Sequence, residues 1–68
     1  MNLTEKQERL AREIAHALDD MDSIVWHRKI VASYSEDHLR KKLQKALSTP
    51  QEKIYSSRAA LYNWLLNQ

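Results

Sequence analysis

The 68-residue sequence contains no cysteine, no glycine, no phenylalanine and a single proline. Without cysteine, the chain forms no disulfide, holds no metal through thiolates and offers no thiol nucleophile. Without glycine, it cannot build the glycine-rich loops that cradle phosphate groups in many nucleotide-binding enzymes. We therefore expect a protein that is stabilised by packing alone, that is not an enzyme, and that uses no small-molecule cofactor.

Long apolar runs are missing as well. No stretch approaches the roughly 18 consecutive apolar residues that a membrane-spanning helix needs, and the first ten residues, MNLTEKQERL, lack the basic-then-apolar order of a signal peptide. These two absences predict a cytoplasmic protein with no membrane partner.

The residues that are abundant favour helices. Leu, Ala, Lys, Arg, Glu and Gln dominate the sequence, and these side chains lose little rotamer freedom in a helix. A chain of this length is near the lower limit for independent folding without metals or disulfides. We expect one all-α domain covering residues 1–68.

Capping patterns and periodic apolar residues predict a compact bundle of four short helices. Thr4 and Gln7 have the spacing of a capping box, Ser35 precedes two acidic residues as an N-cap should, and Pro50 suits the first position of a helix. The predicted helices cover approximately residues 4–19, 23–33, 36–48 and 50–66.

The predicted fourth helix is apolar over most of its circumference. A helix of this kind must be covered on several sides, so we expect residues 50–66 to be the hub against which the other three helices pack. The alternative is that a second copy of the chain or another protein covers the surplus apolar surface.

The charges are distributed unevenly. Residues 1–22 contain three basic and six acidic side chains, whereas residues 23–68 contain eight basic and three acidic ones. Helices 2 and 3 carry a basic face that is a candidate for contact with the phosphates of DNA or RNA. Its members are Arg28, Lys29, His38, Arg40, Lys41, Lys42 and Lys45. The alternatives are a solvated surface and neutralisation by the acidic first helix.

Four further residues are candidates for structural or partner-facing roles. Arg58 lies among apolar residues of helix 4, so we expect it to pair with an acid or to lie across an aromatic ring; the alternative is that it faces a ligand. His27 falls on the apolar arc of helix 2 and is predicted to be a hydrogen-bonded core residue. Tyr62 and Trp64 are predicted to be core residues rather than platforms for base stacking.

The three histidines do not predict a metal site. His16, His27 and His38 lie eleven residues apart, which places them on three different helices and not at metal-ligand spacing on one.

The segment from Asp22 to Leu66 carries a resemblance. Its successive stretches RKIVASY, SEDHLRKKLQKAL and EKIYSSRAALYNWLL resemble a small helical module of replication, primase and mobilisation proteins from phages, plasmids and other mobile elements. The resemblance implies an accessory or docking role near DNA processing, and the first helix has no counterpart in it. The matching positions are Ser57, Arg58, Ala60, Leu61 and Tyr62, together with DHLRKKL in helix 3.

Two functions of different classes follow. The first is a non-catalytic module that assists nucleic-acid handling in a mobile element and contacts phosphates through the basic face. The second is an interaction or regulatory module that engages a larger replication protein, or a second copy in a dimer, through its apolar C-terminal helix. A phage-encoded inhibitor of a host enzyme fits the size, but no residue argues for it.

Overall fold

The computed structural model describes residues 3–68 and contains four α-helices. They are α1 (Glu5–Ala17), α2 (Ile24–Ser33), α3 (Glu36–Ser48) and α4 (Arg58–Leu66), with 3₁₀ turns at Met21–Ser23 and Gln51–Lys53. No strand occurs among residues 3–68. The prediction of an all-α protein with four helices is confirmed. None of the described helices is long and apolar enough to cross a bilayer.

The predicted caps of α1 and α3 are present. The Thr4 Oγ1 accepts a hydrogen bond from the backbone N–H of Gln7 at 3.0 Å, and the Gln7 Oε1 accepts one from the backbone N–H of Thr4 at 3.0 Å. Ser35 Oγ accepts from the backbone N–H of His38 at 3.2 Å. These bonds satisfy amides that have no partner inside the helix, and they fix where both helices begin.

The first helix is shorter than predicted at its C-terminal end. It ends at Ala17, because Asp19 adopts the left-handed conformation with φ of 53°. Aspartate tolerates this conformation better than most residues, and a left-handed residue ends a helix. Asp20 is thereby released from the helical path.

A single apolar core joins the four helices. Helices α1 and α2 pack against each other, as do α3 and α4, and α1 also contacts α3. The largest fully buried side chains are Ile14, Leu39, Tyr62 and His27. Each of the four helices therefore contributes one of them.

The predicted start of the fourth helix at Pro50 is wrong. Pro50 and Ile54 have extended ψ angles of 143° and 117°, and α4 begins only at Arg58. Thr49 Oγ1 donates to the carbonyl of Lys45 at 2.8 Å, so this residue closes α3 instead of capping the next helix. Ser57 is the N-cap of α4, since its Oγ accepts from the backbone N–H of Ala60 at 3.0 Å.

The covering of α4 also differs from the prediction. Tyr62, Leu65 and Leu66 are buried, and α4 packs chiefly on α3. The opposite face is open, because Trp64 has 59% of its surface exposed. The prediction that Trp64 is a core residue is wrong. Helix α4 has only nine residues and follows an extended segment, so only one of its faces packs against its neighbours.

Candidate functional site

Each of the two arginines of the predicted basic face is paired with an acid of α1. Arg28 donates from Nε to the Glu8 Oε1 at 3.0 Å and from Nη2 to the Glu8 Oε2 at 3.1 Å. Arg40 donates from Nη1 to the Glu13 Oε2 and from Nε to the Glu36 Oε2, both at 2.7 Å. The arginines thus link α1 to α2 and α1 to α3, so both guanidinium groups are engaged by acids within the fold.

These pairs change the acidity of the carboxyl groups. The hydrogen bonds from Arg28 and then Arg12 lower the pKa of Glu8, and the hydrogen bond from Arg40 lowers the pKa of Glu13. Arg40 is also the main cause of the lowered pKa of Glu36. All three acids are therefore held in their charged form, which neutralises part of the basic face.

The lysines of the predicted basic face remain available. Lys41 makes one exposed ion pair with Asp37 at 3.7 Å. Lys29, Lys42 and Lys45 make no ion pair with any acid in the described part of the chain. Two of these three, Lys42 and Lys45, lie on α3 with Lys41, whereas Lys29 lies on α2. The structure therefore does not gather the seven predicted residues into one free basic surface.

His38, the remaining member, is directed at another aromatic ring. It stacks on Tyr34 with ring centroids 5.0 Å apart and an interplanar angle of 12°. Its Nε2 is buried and has no hydrogen-bond partner in residues 3–68. The stack packs the start of α3 against the end of α2, so one face of the His38 ring is occupied within the fold.

His27 has the core position that was predicted. Only 1% of its surface is exposed, and its Nε2 lies 2.9 Å from the Asp20 Oδ2. Its ring centroid is 5.0 Å from that of Trp26 and 6.1 Å from that of Tyr62. The carboxylate that the left-handed turn releases from α1 therefore satisfies the one buried histidine of α2.

Tyr62 is fully buried, as predicted, but its hydroxyl has no hydrogen-bond partner in the described chain. Burial raises the pKa of Tyr62 to about 12, because the charged phenolate is poorly solvated there. The ring meets Trp26 edge to face at 6.5 Å, which connects α4 with α2.

Arg58 is held mainly by hydrogen bonds to backbone carbonyls. The prediction that it pairs with an acid or lies across an aromatic ring is wrong. Its Nη1 donates to the carbonyls of Ala46 and Thr49, both at 2.7 Å, and to that of Leu47 at 3.3 Å. The last carbonyls of a helix lack partners within the helix and form the negative end of its dipole. The guanidinium therefore caps α3 from the first residue of α4 and fixes the two ends of residues 49–57.

The segment held in this way forms one wall of a groove. The groove, of about 370 Å³, lies between the segment and α4. We call it the Trp64 groove; the residues that give it its character are Lys53, Ile54, Tyr55, Ala60, Leu61 and Trp64. Its aromatic members are strongly exposed, since Tyr55 is as open as in an extended chain and Trp64 is 59% exposed.

Sequence reasoning missed this surface because it placed Ile54 and Tyr55 inside a helix. One signal for the correct boundary is present in the sequence: Ser57 is of a residue type that is strongly preferred at N-cap positions. The choice between Thr49 and Ser57 as the N-cap depends on Arg58 reaching the end of α3, which is a tertiary contact.

Comparisons with protein-family models, with curated proteins and with solved structures find no match for the chain. The resemblance to modules of replication and mobilisation proteins thus stays a prediction. Among residues 3–68 there is also no group of three histidine or acidic side chains that is arranged to hold a metal ion.

Proposed function

We propose that this protein is a small non-catalytic module that binds a partner protein through the Trp64 groove. The observation that carries the proposal is the exposure of Trp64 and Tyr55 on one ordered groove. Tryptophan and tyrosine are enriched among the residues that dominate binding energy at protein interfaces. Exposed apolar patches on small soluble proteins commonly mark such interfaces.

The way in which the groove is held supports this proposal. Arg58 ties the segment to the end of α3 and Ser57 caps α4, so both walls have a defined position before any partner arrives. A surface that is already ordered loses less conformational entropy on binding. Both ends of residues 49–57 are therefore fixed in the free protein.

The two tryptophans have different roles: Trp26 contributes to the core, and Trp64 contributes to the proposed binding surface. Trp26 packs against the core through His27 and Tyr62. Trp64 lies outside the apolar cluster of the core and its partly buried neighbours. Replacing Trp64 should consequently remove binding and leave the fold in place.

Selection from a displayed random peptide library tests the proposal. Wild-type protein is the target, and each selected peptide is measured against Trp64→Ala and against Val25→Ala, a control that removes an equally exposed apolar side chain from α2. We expect selected peptides to bind about tenfold or more weakly to Trp64→Ala, as for an interface hot spot, and to bind Val25→Ala unchanged. A library that yields no Trp64-dependent peptide contradicts the proposal.

A second candidate function is contact with nucleic acid through α3. It is favoured by the free ammonium groups of Lys42 and Lys45, next to the loosely paired Lys41. Because Arg28 and Arg40 are engaged with acids, few phosphates are neutralised, so we expect weak binding with the modest salt dependence of about three phosphate contacts. A fluorescent duplex and a single strand, each titrated at two salt concentrations, test this function; no binding of either at low salt excludes it.

A further inference from the structure

Among the described residues, the one charged side chain that lines the Trp64 groove is basic. Lys53 lines the groove and no acidic side chain does. Residues 49–68, which include both walls of the groove, contain two basic side chains, Lys53 and Arg58, and one acidic side chain, Glu52. None of the acids of α1 forms an ion pair with residues 49–68 within the described chain, because Arg28, Arg40 and other bases outside this segment engage them.

The backbone adds to this positive potential. Ser57 and Ala60, at the N-terminal end of α4, both line the groove. The N-terminus of a helix carries the positive end of the helix dipole and attracts negatively charged groups. Lys53 and this helix end therefore act in the same direction on whatever occupies the groove.

The floor of the groove has a different character. Ile54, Ala60 and Leu61 supply aliphatic surface between the two exposed aromatic rings. This lining favours an apolar side chain, since removal of apolar surface from water is the main gain available there.

From this combination we infer that the groove takes an acidic segment of a partner protein that carries one large apolar anchor residue. The anchor lies on Ile54 and Leu61 beside Trp64, and the carboxylates that flank it face Lys53 and the start of α4. The inference rests on the proposed function and adds the chemical class of the partner.

Other occupants fit these observations less well. A second copy that used the same groove about a two-fold axis would bring Lys53 close to its own equivalent, and like charges at an interface oppose binding. A single-stranded nucleic acid would match the positive charge and could stack on Trp64, but it would leave the aliphatic floor without a matching group. Both are outcomes that the experiment distinguishes.

The composition and charge response of selected peptides test the inference. Peptides selected on the full-length protein are sequenced, and their affinities are measured at low and high salt for wild type, for Lys53→Glu and for Lys29→Glu. Lys29 is the matched control, because it is an exposed lysine on α2 without an ion pair among the described residues. Titration of a fluorescently labelled oligodeoxythymidine and sedimentation of the protein alone, each for wild type and for Trp64→Ala, complete the set.

We expect the Trp64-dependent peptides to carry an excess of acidic residues around one apolar anchor. Their affinity should fall about fivefold to tenfold with Lys53→Glu and with added salt, as expected for reversing a charge at an exposed pair, and should be unchanged with Lys29→Glu. Trp64-dependent peptides that are neutral or basic, and indifferent to Lys53→Glu, overturn the inference and leave the proposed function standing. If the oligonucleotide binds saturably, or the protein dimerises, and this is lost in Trp64→Ala, the inference is overturned in favour of that occupant. The absence of any Trp64-dependent ligand overturns both the inference and the proposed function.

Discussion

The region of α1 and the region of α4 use their side chains in opposite ways. Helix α1 has a complete capping box, and its acids are joined to Arg28 of α2 and Arg40 of α3. Residues 49–68 make no ion pair with the rest of the described chain and are held by the Arg58 guanidinium and by packing of one face of α4. The first region uses its polar residues to hold the fold together.

The consequence lies in what each region leaves exposed. Around α1, the arginines that were predicted to bind phosphates, Arg28 and Arg40, are paired with acids. Around α4 the apolar residues that looked buried, Tyr55 and Trp64, are open to solvent. The candidate binding surface therefore lies in the part of the chain where the fewest side chains are needed to hold the fold together.

The largest effect on stability is expected from a substitution in the part of α1 that is buried in the core. Ile14 is fully buried, so Ile14→Ala should lower the free energy of unfolding by about 2–5 kcal/mol through lost burial and a cavity. Urea denaturation measures the change, and Val25→Ala is the control because its side chain is 60% exposed. Similar losses for the two variants would contradict the assignment of Ile14 to the core.

Removal of the Arg58 side chain should break the C-terminal region selectively. Arg58→Ala leaves carbonyls of Ala46 and Thr49 without their partner, and bonds from a charged donor contribute roughly 1.5–3 kcal/mol. We expect a loss of about 2 kcal/mol, with faster amide exchange in residues 49–57 than in α1. Arg58→Lys should restore little, because the lysine side chain ends one atom short of the Nη1 that donates these bonds. Uniform loss of protection in both regions would show that Arg58 does not act locally.

The buried hydroxyl of Tyr62 provides a smaller test. Because this hydroxyl has no partner in the described chain, Tyr62→Phe should leave stability unchanged or raise it by about 1 kcal/mol. The phenol pKa is about 12 in the folded chain and near 10.0 when unfolded. The folded state therefore holds the proton more tightly, so stability is unaffected below pH 10 and falls between pH 10 and 12. Chemical denaturation across this range should show a shallower fall for Tyr62→Phe; equal slopes would contradict the burial.

The smallest expected effect is a change in stability at acidic pH, which tests the ion pairs of α1. The pKa values of Glu8, Glu13 and Glu36 are lowered by their arginine partners. Their contribution to stability is therefore complete above the unfolded pKa near 4.5 and is lost as the pH falls below it. Melting temperatures between pH 7 and pH 3 should fall less for Glu13→Gln than for wild type. Glu52→Gln is the control, and an identical profile for all three proteins would contradict the pairing.

Much of the fold could be predicted from local patterns. The helical period and the caps at Thr4 and Ser35 placed α1, α2 and α3 to within a few residues, since these signals act between neighbours in the chain. The buried position of His27 followed from its place on an apolar arc. Its partner Asp20 did not, because that contact depends on the left-handed residue before it.

The errors arose where distant residues decide the outcome. Arg28 and Arg40 meet acids 20 and 27 residues away, and Arg58 meets the end of the preceding helix. A helical wheel shows the residues of one helix only, so it cannot predict these contacts. In residues 50–66 the apolar residues also lie close together because two different structures, an extended segment and a helix, each contribute some of them.

Acrylamide quenching of the two tryptophans, one at a time, tests the central claim that the C-terminal region leaves an open apolar surface. Trp26→Phe retains Trp64 and Trp64→Phe retains Trp26, and each variant is measured at low protein concentration with circular dichroism to verify the fold. We predict red-shifted, strongly quenched emission from Trp64 and blue-shifted, protected emission from Trp26. Equal protection of both tryptophans, with Trp64 shielded in the isolated chain, would contradict the account.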